Sequence, residues 1–275
     1  MLIFILVISL QITCLALPQS FIPSMVLGNS DVNINKHFDS ALDIQEYLIQ
    51  NKSVLSKQSF LISLENDDDL ITSLKIQIKP DYLQPSKILS RYTYLSAAEL
   101  IWGLSQGGIG NGCHIIYVEI CINNKIKPVD PALLITLIQK ESGLIYGKNA
   151  TRALDADLQF IMDRATGYYC FENPNKSKSC YDENPNWKYF KGFFRQVYFA
   201  TRFLRLWSQR CELGGKYAFK NSQGVYVVDS TITINNQSVL LQNGITCAMY
   251  IYTPHISAQK LVYSVYKSIP LKIPR

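Results

Sequence analysis

At 275 residues, with 48% hydrophobic and 17% charged side chains, the chain can bury a core of its own, which argues against a disordered protein or a mini-protein held by disulfides alone. Lys and Arg number 27 against 21 Asp and Glu, a net charge of +6 without any block of like charge. This argues against an arginine-rich nucleic-acid arm, whereas a mildly basic protein suits an anionic partner such as a cell-wall polymer or membrane surface.

Residues 1–17 (MLIFILVISLQITCLAL) are nearly all apolar, and no charged residue precedes Asp31. The run is shorter than the roughly 20 residues of a membrane span. Cys14-Leu15-Ala16, followed by Pro18, reads as a cleavage site, so residues 1–16 are expected to be a signal peptide and the protein to be exported to the periplasm or cell exterior. An uncleaved membrane anchor is the alternative.

Asp39-Ser40 precedes ALDIQEYLIQN, in which Leu42, Ile44, Tyr47 and Leu48 predict a short amphipathic helix. Across residues 59–78, SFLISL and LKIQIKP look like strands around an acidic loop at 65–69 that lacks EF-hand spacing. Ser96-Ala97-Ala98-Glu99 is a capping box, and a helix is expected from there through Leu104 to Gly107 and Gly108. GGIGNG at 107–112 follows a helix and leads to Cys113, which is not the strand-loop-helix setting of a phosphate cradle. Asp130-Pro131 opens a helix over ALLITLIQKES that Gly143 stops.

A long helix fits residues 189–211, with Phe190, Phe193, Phe194, Val197, Tyr198, Thr201, Leu204 and Trp207 forming a wide apolar stripe. Lys188, Lys191, Arg195 and Arg202 recur on another face and read as a solvated surface, with contact to an anionic polymer as the sharper reading. After Gly214-Gly215, YAFKNSQGVYVVD predicts a hairpin turning at 221–224, and helices are expected to resume near 239–252 and 258–267. The whole reads as a mainly α, α+β domain with a small β-hairpin over 91–275, preceded over 17–90 by an extension carrying a short helix.

Seven cysteines less Cys14 leave six, an even number that suits disulfides in an exported chain. Of 15 possible pairings, short loops favour Cys113 with Cys121 and Cys170 with Cys180, leaving Cys211 for Cys247. The spacings do not match a zinc site. A thiol peptidase using a cysteine with His37, His114 or His255 is a rival that even cysteine number and export disfavour. N-x-S/T sites at Asn51, Asn149, Asn175 and Asn236 matter only in a eukaryotic secretory pathway.

The residue expected to carry chemistry is Glu141. It follows Leu133 and Leu137 at steps of four, which directs its carboxylate along the edge of the apolar face. Burial there and the negative end of the helix dipole both favour the neutral acid that can protonate a leaving glycosidic oxygen. A surface Glu at a helix end is the plain alternative.

VDPALLITLIQKESGLI resembles the catalytic helix of lysozyme-like lytic transglycosylases, in which Glu-Ser closes an apolar helix. The chain is similar in particular to secreted bacterial cell-wall proteins with DIQ-x-[FY]-L, LLxxLQKE, ATGYGC, GFFNQVYxA and YNYTP segments in that order. Here they read DIQEYL at 43–48, LIQKESG at 137–143, ATGYYC at 165–170, GFFRQVYFA at 192–200 and MYIYTPH at 249–255. The resemblance implies a lysozyme-like fold, no cofactor or metal, and peptidoglycan glycan strands as the partner, cut between N-acetylmuramic acid and N-acetylglucosamine. It implies Glu141 as general acid, Ser142 as its orienting neighbour, and Tyr168, Tyr169, Tyr250 and Tyr252 as saccharide contacts, Tyr250 facing the catalytic Glu. Tyrosine suits such a cleft because its face stacks on a sugar while its hydroxyl hydrogen-bonds.

The sequence departs from the pattern at Ile251, where Asn is usual, at GYYC in place of a GLMQ-like segment, and in an insertion over 107–128. Hydrolysis needs a second group to activate water or attack the sugar, for which Asp155, Asp157, Asp163 and Asp182 are candidates. A lytic transglycosylase needs only one Glu, acting as acid and then base. A lysozyme-like envelope protein that binds the wall without cutting it is the alternative from a different class.

Overall fold

The computed structural model describes residues 20–28, 36–63, 88–89, 92–106, 128–153, 155–170 and 187–271. The expected signal peptide, LKIQIKP, the acidic loop 65–69, GGIGNG, Cys113, Cys121, Cys180 and Asp182 lie outside these. Among the described residues no helix is long and apolar enough to cross a membrane.

The fold is mainly helical, with small antiparallel sheets. Helix α1 is Ala41–Gln50, and Ser40 caps it by accepting from the Asp43 N–H. Strand β1 (Ser59–Ser63) pairs antiparallel with β3 (Tyr92–Ser96), which also pairs with β2 (Ile88–Leu89). Ser96 and Glu99 form the expected reciprocal capping box of α2 (Ala97–Ser105). Helix α3 is Pro131–Ser142, and every residue from Pro131 to Ile138 is buried. Gly143, at φ 64°, turns the chain out of it in the left-handed conformation glycine favours.

Helix α4 (Ala156–Met162) is capped by Asp155. The long helix α5 is Phe193–Leu213. Two hairpins follow, β4 (Phe219–Asn221) with β5 (Gly224–Tyr226), and β6 (Thr231–Ile234) with β7 (Gln237–Leu240). Helices α6 (Gly244–Tyr252) and α7 (Ile256–Ser268) complete the fold.

The second hairpin corrects the expected helix start near 239. Asn235 and Asn236 both have positive φ, 50° and 61°, and make a two-residue turn; Asn is among the few side chains that tolerate this geometry. Ile232 and Ile234 then fall on the buried face of the alternating strand, and α6 begins only where Asn243 caps Thr246.

Helix α5 lies at the centre, packed against α6, α2, α3 and β1. Between Phe193 and Cys211 none of its residues is fully exposed, so the basic face expected to be solvated is only partly open to solvent where it is described. Lys191, Arg195 and Arg202 are half-buried, and Arg205 and Arg210 are buried. Burial pushes the Arg205 guanidinium down to about 10, while Arg210 donates to Tyr217 O and lies over the Trp207 ring. Cys211 of α5 and Cys247 of α6 form the expected disulfide, closing a separation of 36 residues. A loop of that length corresponds to roughly 3–4 kcal/mol of denatured-state entropy. Cys170 is also disulfide-bonded.

Residues 20–28 and 36–60, expected to belong to an extension, contribute to the same core. Val26, Leu27, Ile44, Leu48 and Leu55 are buried in it at 0–1% exposure. The Val26 N–H donates to Thr246 Oγ1, and Asn243 Nδ2 donates to Leu27 O, tying residues 20–28 to α6.

Asp130, the N-cap of α3, is buried; its carboxylate accepts from the Ala132 N–H at 2.8 Å and the Tyr266 hydroxyl at 3.0 Å. Burial raises its carboxyl above the ordinary 3.8, against the opposing pull of those bonds and the nearby His37 charge. A carboxyl raised on folding stabilises fully below its unfolded value, and that contribution is lost as pH rises through the folded one. We therefore expect this group to lower stability as pH climbs above about 3.8, and Asp130→Asn, which keeps a good cap, to reduce that fall in urea titrations across pH. An unchanged slope in the variant would acquit Asp130 of the effect.

Candidate active site

Glu141 occupies the last turn of α3, whose apolar residues anchor it in the core while Gly143 ends the helix beside it. The burial expected for Glu141 is not there: the residue is exposed, with its side chain at 27%, because the helix end emerges from the core at this turn. Its Oε1 accepts from Lys140 Nζ. Its other side lies against Gly167, where a Cβ would stand 3.0 Å from both Oε2 and Cδ. Gly167 has φ 69°, so backbone geometry favours glycine at this point, and the closeness of Glu141 adds to that preference.

Gly167 belongs to a tight turn over residues 165–170. Its N–H donates to Arg164 O at 2.9 Å, and the Cys170 N–H donates back to Gly167 O at 3.0 Å. Tyr169 also has positive φ, 58°, a costly state for an aromatic residue that needs support from its surroundings. The two tyrosines lean on an aromatic group from α5 and the turn before it. Tyr168 stacks on Phe199 with centroids 5.6 Å apart, and Tyr169 stacks on Phe190 at 4.2 Å. Burial raises the Tyr168 phenol, partly offset by the charge of Arg202 and reinforced by Tyr169.

The end of α6 closes the group. The Tyr252 hydroxyl donates to Thr166 O at 2.7 Å, and its ring lies 6.3 Å from Tyr168 and 5.3 Å from Phe203. Burial raises its phenol strongly, and the negative charge of Glu141 raises it further. Tyr252 is thus the late tyrosine on the Glu141 side. Tyr250, expected to face Glu141, is fully buried and donates its hydroxyl to Pro23 O. Two residues apart on a helix point about 200° apart, so α6 sends Tyr250 toward residues 20–28 and Tyr252 toward the turn.

Ser142 also departs from its expected role. It is buried, and its hydroxyl donates to Ile138 O of its own helix at 2.6 Å instead of facing a ligand. Its carbonyl accepts from Asn149 Nδ2, which fastens the loop after α3. Of the candidate second carboxylates, Asp155 caps α4 and pairs with Arg152, as does Asp157. Asp163 accepts from Gln159 and faces Lys191. Among the described residues no group of three His, Cys, Asp or Glu side chains could hold a metal.

The residue that sequence reasoning missed is Gln196. It lies within GFFRQVYFA and is fully buried, and its side-chain amide bonds to the backbone of the turn. A polar residue inside the apolar pattern of a long helix was the available signal. A separate open groove of about 670 Å³, lined by Lys52, Lys57, Gln58 and Arg152 among others, does not include Glu141.

Comparison with known proteins gives no match: no family model, curated protein or solved structure is similar to this chain.

Proposed function

We propose that the protein is an exported, lysozyme-like enzyme that cuts the glycan strands of peptidoglycan, with Glu141 as general acid and base. The observation that carries this reading is convergence. LIQKESG, ATGYYC and MYIYTPH are far apart in sequence, yet Glu141, Gly167 and Tyr252 come from these three and meet in one place. The Cys211–Cys247 disulfide fits an oxidising compartment outside the cytoplasm.

In the proposed reaction a muramic acid ring lies against the tyrosines and the Glu141 carboxylic acid protonates the departing glycosidic oxygen. The carboxylate then takes the proton of the sugar's own 6-hydroxyl, which closes an anhydro ring on the anomeric carbon. Among the described candidates, Asp155, Asp157 and Asp163 each face a cap or cation, which supports the one-carboxylate route, whereas hydrolysis calls for a second group to direct water. One observation favours the second reading, a wall-binding protein without activity: Lys140 Nζ already contacts Oε1 of the Glu141 carboxylate.

The protein incubated with purified peptidoglycan is expected to release muropeptides with anhydro ends, identified by mass spectrometry. Reducing ends would indicate hydrolysis and a second catalytic group. Absence of release, with the protein still sedimenting on the polymer, would replace the enzyme with the binder.

A further inference from the structure

The turn that faces Glu141 combines two left-handed residues, Gly167 and Tyr169, and presents its backbone to one side chain. Gln196 projects from the first turn of α5, is fully buried, and meets the turn like an extra strand. Its Oε1 accepts from the Tyr168 N–H at 3.0 Å, and its Nε2 donates to Tyr168 O at 3.0 Å and Phe190 O at 2.8 Å. The Thr166 hydroxyl, also buried, lies 3.0 Å from Gln196 O and 3.3 Å from Oε1. All the side chain's hydrogen-bonding groups are thereby engaged with residues 166–168 or with Phe190, on which Tyr169 stacks.

We infer that Gln196 is the positioning residue of the Glu141 site, the clamp that fixes Thr166, Gly167 and Tyr168 against the carboxylate; this rests on the reading of Glu141 as the general acid. A bidentate amide-to-peptide pair sets both the distance and the plane of the turn. An apolar side chain of equal length fills the same space yet leaves the Tyr168 N–H, Tyr168 O and Phe190 O unpaired in the interior. The turn is then free to leave its two left-handed residues. Gly167 retreats from Glu141, Tyr168 loses its bonds to the Gln196 amide, and the Thr166 carbonyl that holds the Tyr252 hydroxyl shifts with the turn. A shift of about 1 Å in a catalytic arrangement is enough for a hundredfold loss of rate.

The test compares the full protein with Gln196→Met, using kinetics on purified peptidoglycan together with hydrogen exchange over residues 165–170, well below the melting temperature of both. The expected result is kcat lower by about a hundredfold with KM changed by less than about threefold, and faster exchange at the Tyr168 amide. Unchanged kcat per folded molecule, with only a lower Tm, would reduce Gln196 to a structural residue and overturn the inference. Where Gln196→Met fails to fold, Gln196→Glu, which keeps shape and acceptor, serves in its place with the same expected split. Where the unmodified protein releases no fragments, the reading of Glu141 fails by itself. The exchange data then decide the clamp, faster exchange supporting it and unchanged exchange overturning it.

Discussion

Glu141→Gln is expected to leave the protein folded and to lower fragment release from peptidoglycan about a thousandfold, within the range contributed by a positioned general acid. The substitution conserves shape, so contact with Gly167, whose added Cβ would already sit 3.0 Å from the carboxylate, is preserved. The Lys140 side chain is only 8% exposed, but the Gln amide oxygen can still accept from its ammonium, so the cation is not left without a polar partner. What disappears is the exchangeable proton, since an amide neither protonates the glycosidic oxygen nor takes the proton from the 6-hydroxyl. Quantifying soluble muropeptides from both proteins, with circular dichroism as the control for folding, gives the answer. A variant that keeps wild-type release would show that the carboxylate at this helix end is an ordinary surface residue.

Gly244→Ala is expected to destabilise the protein by about 3 kcal/mol, at the upper end for an overpacked interior. In an unobstructed helix the same change favours the helix by up to about 1 kcal/mol, so the predicted sign is the reverse of the usual one. The reason lies in how closely α6 approaches α5: a Cβ at Gly244 would stand 2.5 Å from Ser208 O, 2.8 Å from Ser208 Oγ and 2.9 Å from Glu212 Cγ. The serine side chain can rotate away, but the carbonyl belongs to the backbone of α5 and cannot. The start of α6 must therefore lift, against the Asn243 cap, its bond to Leu27 O and the Cys211–Cys247 disulfide three residues on. A thermal melt is the direct measurement, and for a chain of this size 3 kcal/mol lowers Tm by roughly 6–12 °C. A melting temperature within about 1 °C of wild type would mean that the two helices are not in such close contact.

The helices that the sequence announces most clearly are those with chemically explicit ends. Ser40, the Ser96-Glu99 box, Asp130-Pro131 and Gly143 act within one turn of themselves, so their effect is written in adjacent residues. The β6–β7 hairpin carried an equally local signal, TITI and QSVL around Asn235-Asn236, but its apolar residues also suit a helix when the turn is passed over. The partial cover over Arg195 and Arg202 is not legible in the sequence for a different reason. Periodicity reports how residues are arranged around one helix, and cannot report that other elements cover its remaining sides.

The sequence by itself determined the mainly helical α+β character and the capped helix whose last turn carries Glu141. Tertiary structure alone decided that residues 20–28 and 36–60 share the core, that α5 is partly covered on every face, and that Gly167, Tyr252 and Gln196 gather around the turn facing Glu141. It also decided that Tyr252 faces this site while Tyr250 turns to Pro23. The division follows from range. Caps, turns and periodicity are fixed by neighbours a few residues away, whereas the direction of a buried side chain is set by whichever distant segment packs against its helix.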